Sequence, residues 1–244
     1  MKIIINGLGR IGKLVFRRLC DENLHKNILM VNEKAGSASD QEYFLRYDTV
    51  HGTWGDDLCF ENGCLNYKDH SIAVMIEGSI ESISFPKSEK FLVVDCTGVN
   101  KSEKLLEPYF ERKASYVLIS APIESSNVQN IVYGINHQSI DTSAYKIFTA
   151  ASCTTNCLAP IVKVLEENIG IKHGSITTIH NITNSQTIVD APKNNLRRSR
   201  SGINSLIPTT TGSARAISLI YPELKGRLNG HAVRVPLLNA SLTD

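Results

Sequence analysis

Nowhere in these 244 residues does an apolar run approach the ~18–20 residues that a membrane-spanning helix needs, so no spanning helix is expected among them. No secretory leader is expected either: Met1-Lys2-Ile3-Ile4-Ile5 is a short apolar run that stops at Asn6-Gly7, and it reads as a strand. Charge of one sign is equally scarce. With 26 Lys and Arg against 24 Asp and Glu, the net charge of +2 is too small to mark a nucleic-acid or membrane surface. The basic run Arg197-Arg198-Ser199-Arg200 has no aromatic platform beside it for stacking bases. Six cysteines without a leader are expected to be reduced thiols in a cytoplasmic protein, and no second ligand pair with zinc-like spacing accompanies Cys59/Cys64 or Cys153/Cys157, so no metal site is expected. What remains, at 42% hydrophobic and 20% charged, is a globular chain long enough for one large core or two modest ones.

The first half carries a dinucleotide signature. A strand over 2–6 runs directly into Gly7-Leu8-Gly9-Arg10-Ile11-Gly12 and then into a helical pattern. Gly7 permits the tight turn, Gly9 lets backbone approach a pyrophosphate, and Gly12 lets the helix pack close on the strand, with the helix N-terminus facing the phosphates. A bare glycine motif is weak evidence. This one is followed about 20 residues later by the strand Ile28–Val31 and by Glu33, the acidic residue expected to accept from the adenosine ribose hydroxyls and to disfavour a 2′-phosphate, so NAD is expected over NADP. Helices near 39–47 and 102–113, a hairpin around Glu61-Asn62-Gly63, and strands at 91–95, 116–120, 130–133 and 146–149 continue the alternation, which predicts a doubly wound parallel sheet. Thr97 lies just beyond the strand 91–95 and Ser120 ends the strand 116–120, at the carboxyl ends where such sheets bind ligands.

The second half carries a nucleophile. In Ala151-Ser152-Cys153-Thr154-Thr155-Asn156-Cys157, Ser152 reads as a helix N-cap, so Cys153 feels the positive end of the helix dipole and its free N–H groups, which favour thiolate. A strand over 174–180 places Ile176, Thr178 and His180 on one face and ends at His180, a candidate base for Cys153, although a lone histidine is more often a structural hydrogen-bonder. A polar, basic loop from Asn184 to Ser205 precedes Thr209-Thr210-Thr211-Gly212 and a helix from about Ser213, an arrangement suited to an anion; Arg234, in a strand predicted over 231–237, adds a further charge.

With these residues in place the whole chain resembles the phosphorylating glyceraldehyde-3-phosphate dehydrogenase family. The decapeptide around Cys153 is the most specific part, supported by Tyr47–Gly52, Ser120-Ala121-Pro122, Thr177–His180, Pro222–Gly226 and Val233–Pro236. The resemblance implies a Rossmann domain over 1–151 and an α+β catalytic domain with a mixed or antiparallel sheet over 152–244. It implies Cys153 attacking the aldehyde of glyceraldehyde 3-phosphate, His180 taking the proton, hydride passing to NAD, and phosphate cleaving the thioester. Residue by residue it assigns Ser152, Thr154, Thr183, Arg198, Thr211, Gly212 and Arg234 to substrate and attacking phosphate. NAD falls to Gly7, Gly9, Arg10, Ile11, Gly12, Glu33, Thr97 and Ser120. The basic loop resembles the family's S-shaped loop, which implies a homotetramer.

Three departures stand out. After His180 the usual Ser, Tyr, Thr, Ala, Thr, Gln is Asn181-Ile182-Thr183-Asn184-Ser185-Gln186, which resembles, together with Leu237–Asp244, a bacterial subgroup linked to arsenic resistance in which arsenate replaces phosphate and 1-arseno-3-phosphoglycerate forms. Glu77–Pro86 lacks the basic residue the family directs toward the adenine end. Residues 227–244 read as one long strand without its partners, so the chain reads as truncated at the C-terminus. The sequence leaves open an erythrose-4-phosphate dehydrogenase and a non-catalytic NAD-binding remnant.

Overall fold

Strand and helix signals over residues 2–149 alternate because seven of the strands lie parallel and are covered on both faces. The computed structural model describes residues 1–86 and 90–244, and these form two units, Met1–Ile131 with Ile140–Ala150 and Val132–Ser139 with Ala151–Asp244. The first unit runs β1 (Lys2–Asn6), α1 (Arg10–Asp21), β2 (Ile28–Asn32), α2 (Ala38–Arg46), a small ribbon of β3 (Tyr47–Asp48) and β4 (Gly52–Thr53), β5 (Leu58–Glu61), β6 (Cys64–Tyr67), β7 (His70–Met75), β8 (Phe91–Asp95), α3 (Glu103–Glu111), β9 (Ala114–Ile119), β10 (Val128–Asn130) and β11 (Ile147–Thr149). The large sheet has the order β10-β11-β9-β8-β1-β2-β7-β6-β5, parallel from β10 to β7 and antiparallel through the β5–β6 edge.

Successive residues of β1 show why the sheet is doubly wound. Ile4 packs into a core with Phe91, Val93, Leu106, Tyr109 and Val117, whereas Ile5 packs into a second with Phe16, Val31, Leu45 and Leu65. Strands buried on both faces need unbroken apolar runs, which is what Ile3-Ile4-Ile5 and Leu92-Val93-Val94 supply. β1 lies between β8 and β2, so the crossovers leave it in opposite directions and open a crevice at its carboxyl end. Asn62 and Gly63 both have positive φ (52° and 81°), the combination a two-residue hairpin between β5 and β6 requires.

In the second unit, α4 (Cys153–Asn168), β12 (Gly174–His180), β13 (Ile207–Thr210), α5 (Ser213–Ile220), β14 (Leu228–Arg234) and β15 (Leu242–Thr243) build a mixed sheet of order β13-β14-β12-β15. β12 and β14 are parallel, and the outer strands are antiparallel to them. Leu158, Ala159 and Val162 of α4, Ile176 of β12, Ile217 of α5 and Leu224 form its core.

Several boundaries differ from the sequence reading. The strand expected at 130–133 is β10 at 128–130, because Val132 instead enters the core of the second unit. The expected helix 102–113 stops at Glu111, and Ser102 is its N-cap rather than its first residue. The strand expected at 116–120 starts earlier and stops at Ile119. The strand expected at 231–237 lies at 228–234, since Pro236 has no N–H with which to continue the ladder. Residues 227–244 are accordingly not one strand: the chain turns after Val235 and returns as β15 beside β12. Among the described residues no helix is long and apolar enough to cross a membrane.

Candidate functional site

At the carboxyl end of β1, Gly7 has φ +91° and donates its N–H to the Asn32 carbonyl at 2.8 Å. A Cβ on Gly12 would stand 1.8 Å from the Gly7 carbonyl oxygen, so the glycine is what lets α1 start directly against the turn that feeds it. Gly9 differs: a Cβ there would meet nothing within 4 Å and would only fill open space. Gly9 is also the N-cap of α1, with no side-chain cap and no acidic residue in the first turn, where Arg10 and Ile11 lie exposed. An uncapped helix start beside a Cβ-sized opening suits a diphosphate.

Glu33 follows β2 and is held by backbone. Its Oε2 accepts from the Leu8 N–H at 2.8 Å, and its Oε1 from the N–H groups of Lys34 and Ala35 at 2.9 and 3.3 Å. Three of roughly four carboxylate acceptor positions are thereby used, which fixes the group beside the glycine turn and leaves room for about one further donor. Thr97 donates both its N–H and its hydroxyl to Asp95 Oδ1, at 2.9 and 2.6 Å. The Ser120 N–H donates to the Asp95 carbonyl at 2.9 Å, and its side chain bonds the Cys96 thiol, which burial pushes up to about 12.

The sequence reading missed a buried polar network beneath this crevice. Tyr109 donates its hydroxyl to Asp95 Oδ2 at 2.8 Å and accepts from Asn6 Nδ2, while Asn32 donates to Asn6 Oδ1 at 2.8 Å and Asn100 to Asp95 Oδ2 at 2.7 Å. Burial, then the Asp95 charge, pushes the Tyr109 hydroxyl far above its ordinary range, so it stays a donor. The signal available in the sequence was an Asn or Asp ending each of three apolar strands, at Asn6, Asn32 and Asp95.

In the second unit Ser152 caps α4, its Oγ accepting from the Thr155 N–H at 3.1 Å. Ala151 before it is buried at φ +55°, a conformation unusual for alanine that turns the chain sharply into the helix. Cys153 is the first helical residue and is exposed; its Sγ lies 3.4 Å from His180 Nε2 and 4.0 Å from the hydroxyl of Thr154, which is itself buried. The hydrogen bond with His180 is the largest cause of a thiol pKa lowered to about 7; burial opposes it, and the charge of His180 and the hydroxyl and N–H of Thr154 assist. Of the helix start, the Thr154 N–H acts in the same direction as the histidine, which has the largest effect. Cys20, buried in the first unit, is by contrast pushed up to about 12.

His180 ends β12 and is paired in register with Arg234, the last residue of β14. Its Nδ1 lies 2.8 Å from the Asn181 carbonyl and 2.8 Å from Arg234 Nη1, and that same Nη1 donates to the Asn181 carbonyl at 2.9 Å. Arg234 Nε is buried without a partner among the described residues. Burial and then the positive charge of Arg198 lower the pKa of Arg234. Arg198 is anchored by donating to the Thr209 hydroxyl at 2.7 Å, and Thr209 pairs with Ala232 on β14. Two guanidinium groups, one with an orphaned N–H, suit an anion.

Cys153, Thr154, His180, Arg234 and Arg198 thus form one constellation. Thr183, Thr211 and Gly212 lie apart from its hydrogen bonds among the described residues: the Thr183 hydroxyl meets Ser185 and Gln186, the Thr211 hydroxyl meets Ser213, and Gly212 is the N-cap of α5. Asn181 ties the site to the chain's last segment, donating from Nδ2 to the Leu238 carbonyl at 3.0 Å and from its N–H to Ser241 Oγ at 3.2 Å.

Comparison with known proteins gives a consistent result. Residues 1–103 match the family model described as glyceraldehyde 3-phosphate dehydrogenase, NAD binding domain, and residues 152–244 match that of the C-terminal domain. The chain is 46% identical over its whole length to glyceraldehyde-3-phosphate dehydrogenase 3 of Nostoc sp. (strain PCC 7120), covering 72% of that relative. It is 40% identical to glyceraldehyde-3-phosphate dehydrogenase 1 of Bacillus cereus and 40% identical to the glyceraldehyde-3-phosphate dehydrogenase of Geobacillus stearothermophilus, again over all of this chain and 72% of each relative.

Proposed function

Because the chain belongs to the glyceraldehyde-3-phosphate dehydrogenase family, we propose that it oxidises glyceraldehyde 3-phosphate, with NAD and inorganic phosphate, to 1,3-bisphosphoglycerate. The observation that carries the reading is the 3.4 Å approach of Cys153 Sγ to His180 Nε2 with the thiol lowered to about 7. At neutral pH about half of such a thiol is thiolate, the form that attacks a carbonyl.

The thiolate adds to the aldehyde carbon, forming the C–S bond while the carbonyl π pair becomes an alkoxide that takes the proton held on His180 Nε2, which leaves that nitrogen free to accept. His180 Nε2 then removes that hydroxyl proton as the carbon–hydrogen bond breaks and leaves a thioester on Cys153. NAD, when bound, would supply the acceptor for the hydride, which carries both electrons of the oxidation. A phosphate oxygen attacks the thioester carbon, the C–S bond breaks, and Cys153 is restored as the acyl phosphate leaves. Arg234 and Arg198 hold the phosphate groups, with Ser152, Thr154, Thr183, Thr211 and Gly212 as neutral donors around them. Gly7, Gly9, Gly12, Arg10 and Ile11 hold the dinucleotide phosphates; Glu33 accepts from the ribose, and Thr97 and Ser120 line the crevice. The open space at Gly9 and the uncapped start of α1 support that assignment.

Absorbance at 340 nm from glyceraldehyde 3-phosphate, NAD and phosphate tests the reading: turnover is expected, and its absence in Cys153→Ser. Folded protein that produces no NADH would overturn the proposal in favour of an NAD-binding remnant. A second reading, arsenate in place of phosphate, rests on the resemblance of 181–186 and 237–244 to the arsenic-linked subgroup, and the bonds of Asn181 to Leu238 and Ser241 bring those two segments together beside His180. The ratio of turnover in arsenate to that in phosphate tests it. A working thiol needs a reducing compartment, which supports a cytoplasmic protein. The exposed Ile188, Val189, Leu196, Ile203 and Leu206 of the basic loop support a homotetramer, measurable by sedimentation.

A further inference from the structure

We propose that Tyr109, fully buried beneath the crevice at the carboxyl end of β1, is a positioning residue for NAD: its hydroxyl completes a one-way chain of hydrogen bonds that sets the segments following β1, β2, β7 and β8 in the arrangement that receives the dinucleotide. The inference rests on the reading of that crevice as the NAD site and adds a residue that does not itself reach the cofactor. The direction of the chain is set at Asp95. Its carboxylate is fully buried, pairs with no Lys, Arg or His among the described residues, and accepts four hydrogen bonds: from the N–H and hydroxyl of Thr97 on Oδ1, and from Asn100 Nδ2 and the Tyr109 hydroxyl on Oδ2. These use all of its roughly four acceptor positions, and with no paired cation each neutral donor is needed.

A hydroxyl has one proton. Tyr109 gives it to Asp95 at 2.8 Å and so meets Asn6 as an acceptor, which turns the Asn6 amide with Nδ2 toward Tyr109. Asn6 Oδ1 is left facing Asn32 Nδ2, 2.8 Å away, and this orients the Asn32 amide in turn. Asn32 then clamps the backbone of Glu77, its Nδ2 donating to the carbonyl at 3.1 Å and its Oδ1 accepting from the N–H at 2.9 Å. Asn6, Asn32 and Asp95 each end a strand; Gly7 and Glu33 follow the first two directly, and Thr97 lies just beyond the third. Phenylalanine at 109 keeps the ring, which packs edge-on against Phe85 with centroids 6.0 Å apart, and deletes only the hydroxyl. Asp95 Oδ2 loses a donor, Asn6 Nδ2 loses its acceptor, and nothing then holds the Asn6 amide in the orientation that Asn32 requires. The strands keep their backbone ladders, so the sheet persists, while the segments at their carboxyl ends gain alternative arrangements that NAD must exclude on binding. The loss therefore falls on affinity for NAD and not on the chemistry at Cys153.

The test is calorimetric titration of the full chain with NAD, in wild type, Tyr109→Phe, Asn32→Ala and the double variant, beside Leu65→Val, a large-to-small change in the other core of the same unit. Tyr109→Phe and Asn32→Ala are each expected to weaken NAD about tenfold, the size of one buried hydrogen bond lost from the bound state. The double variant is expected to stay within about twofold of the weaker single one, because a chain already cut is not cut again. Leu65→Val is expected to bind within about twofold of wild type although urea shows it destabilised. In steady-state NADH production, the KM for NAD rises in Tyr109→Phe while kcat and the KM for glyceraldehyde 3-phosphate hold. Wild-type affinity in Tyr109→Phe, an equal loss in Leu65→Val, additive losses in the double variant, or a kcat that falls at unchanged KM for NAD would each overturn the proposal. Should Tyr109→Phe not fold, Asn32→Ala against Leu65→Val decides. A wild-type chain that does not bind NAD would overturn the reading of the crevice itself, and this proposal with it.

Discussion

Removing the imidazole beside Cys153 has an effect whose size and pH dependence follow from the site. In His180→Ala the largest cause of the lowered thiol pKa is gone, so the value moves from about 7 back toward the ordinary 9.0. At pH 7 the thiolate fraction falls from about one half to about 1%, roughly fiftyfold. The thiolate that remains is the stronger nucleophile: with a Brønsted slope of about 0.4–0.5, two pKa units raise its intrinsic reactivity about six- to tenfold. Alkylation of Cys153 by uncharged iodoacetamide is therefore expected to slow about five- to eightfold at pH 7, its midpoint to rise by about two units, and its high-pH plateau to exceed the wild-type plateau. Locating the modification by fragment-ion mass spectrometry across pH 5–10 separates Cys153 from the other five thiols, including Cys157 on the same stretch of chain, and near-ultraviolet circular dichroism checks the fold. An unmoved midpoint in a folded variant would refute the claim that His180, rather than the start of α4, governs this thiol.

Other substitutions test the rest of the structure. Gly12→Ala places a methyl 1.8 Å from the Gly7 carbonyl and is expected to cost about 3 kcal/mol or more in urea denaturation. Gly9→Ala meets only open space, so it is expected to leave stability within about 0.5 kcal/mol while weakening NAD binding by calorimetry tenfold or more. Tyr109→Phe removes the donor to Asp95 and the acceptor for Asn6 and is expected to cost about 1–3 kcal/mol by urea denaturation. The Lys13 ammonium, bonded at 2.8 Å, and the N–H groups of His51 and Val50 hold the Asp48 carboxyl well below its usual range. Its contribution is complete above an unfolded pKa of about 3.9 and disappears as pH falls below it, so Asp48→Asn is expected to flatten the acid limb of a stability profile.

The features legible in the residues were those whose cause is local. Gly7 and Gly12 answer to a turn and a helix a few residues apart; Ser152 caps the helix it precedes; apolar runs such as Ile3-Ile4-Ile5 declare burial on both faces, hence a parallel sheet. Strand ends were less legible because they depend on what the chain does next: Pro236 stops the β14 ladder, and Val132 departs for another core. The site's chemistry required pairings that no spacing encodes. Cys153 and His180 meet across 27 residues, Arg234 reaches His180 across 54 because β12 and β14 lie in register, and Asn6 finds Tyr109 across 103. Local conformational preference is written in neighbouring residues and could be read from them. The lowered thiol of Cys153 depends on a ring that only the tertiary packing brings within 3.5 Å, so the nucleophile was recognisable in the sequence while its activation belongs to the tertiary structure.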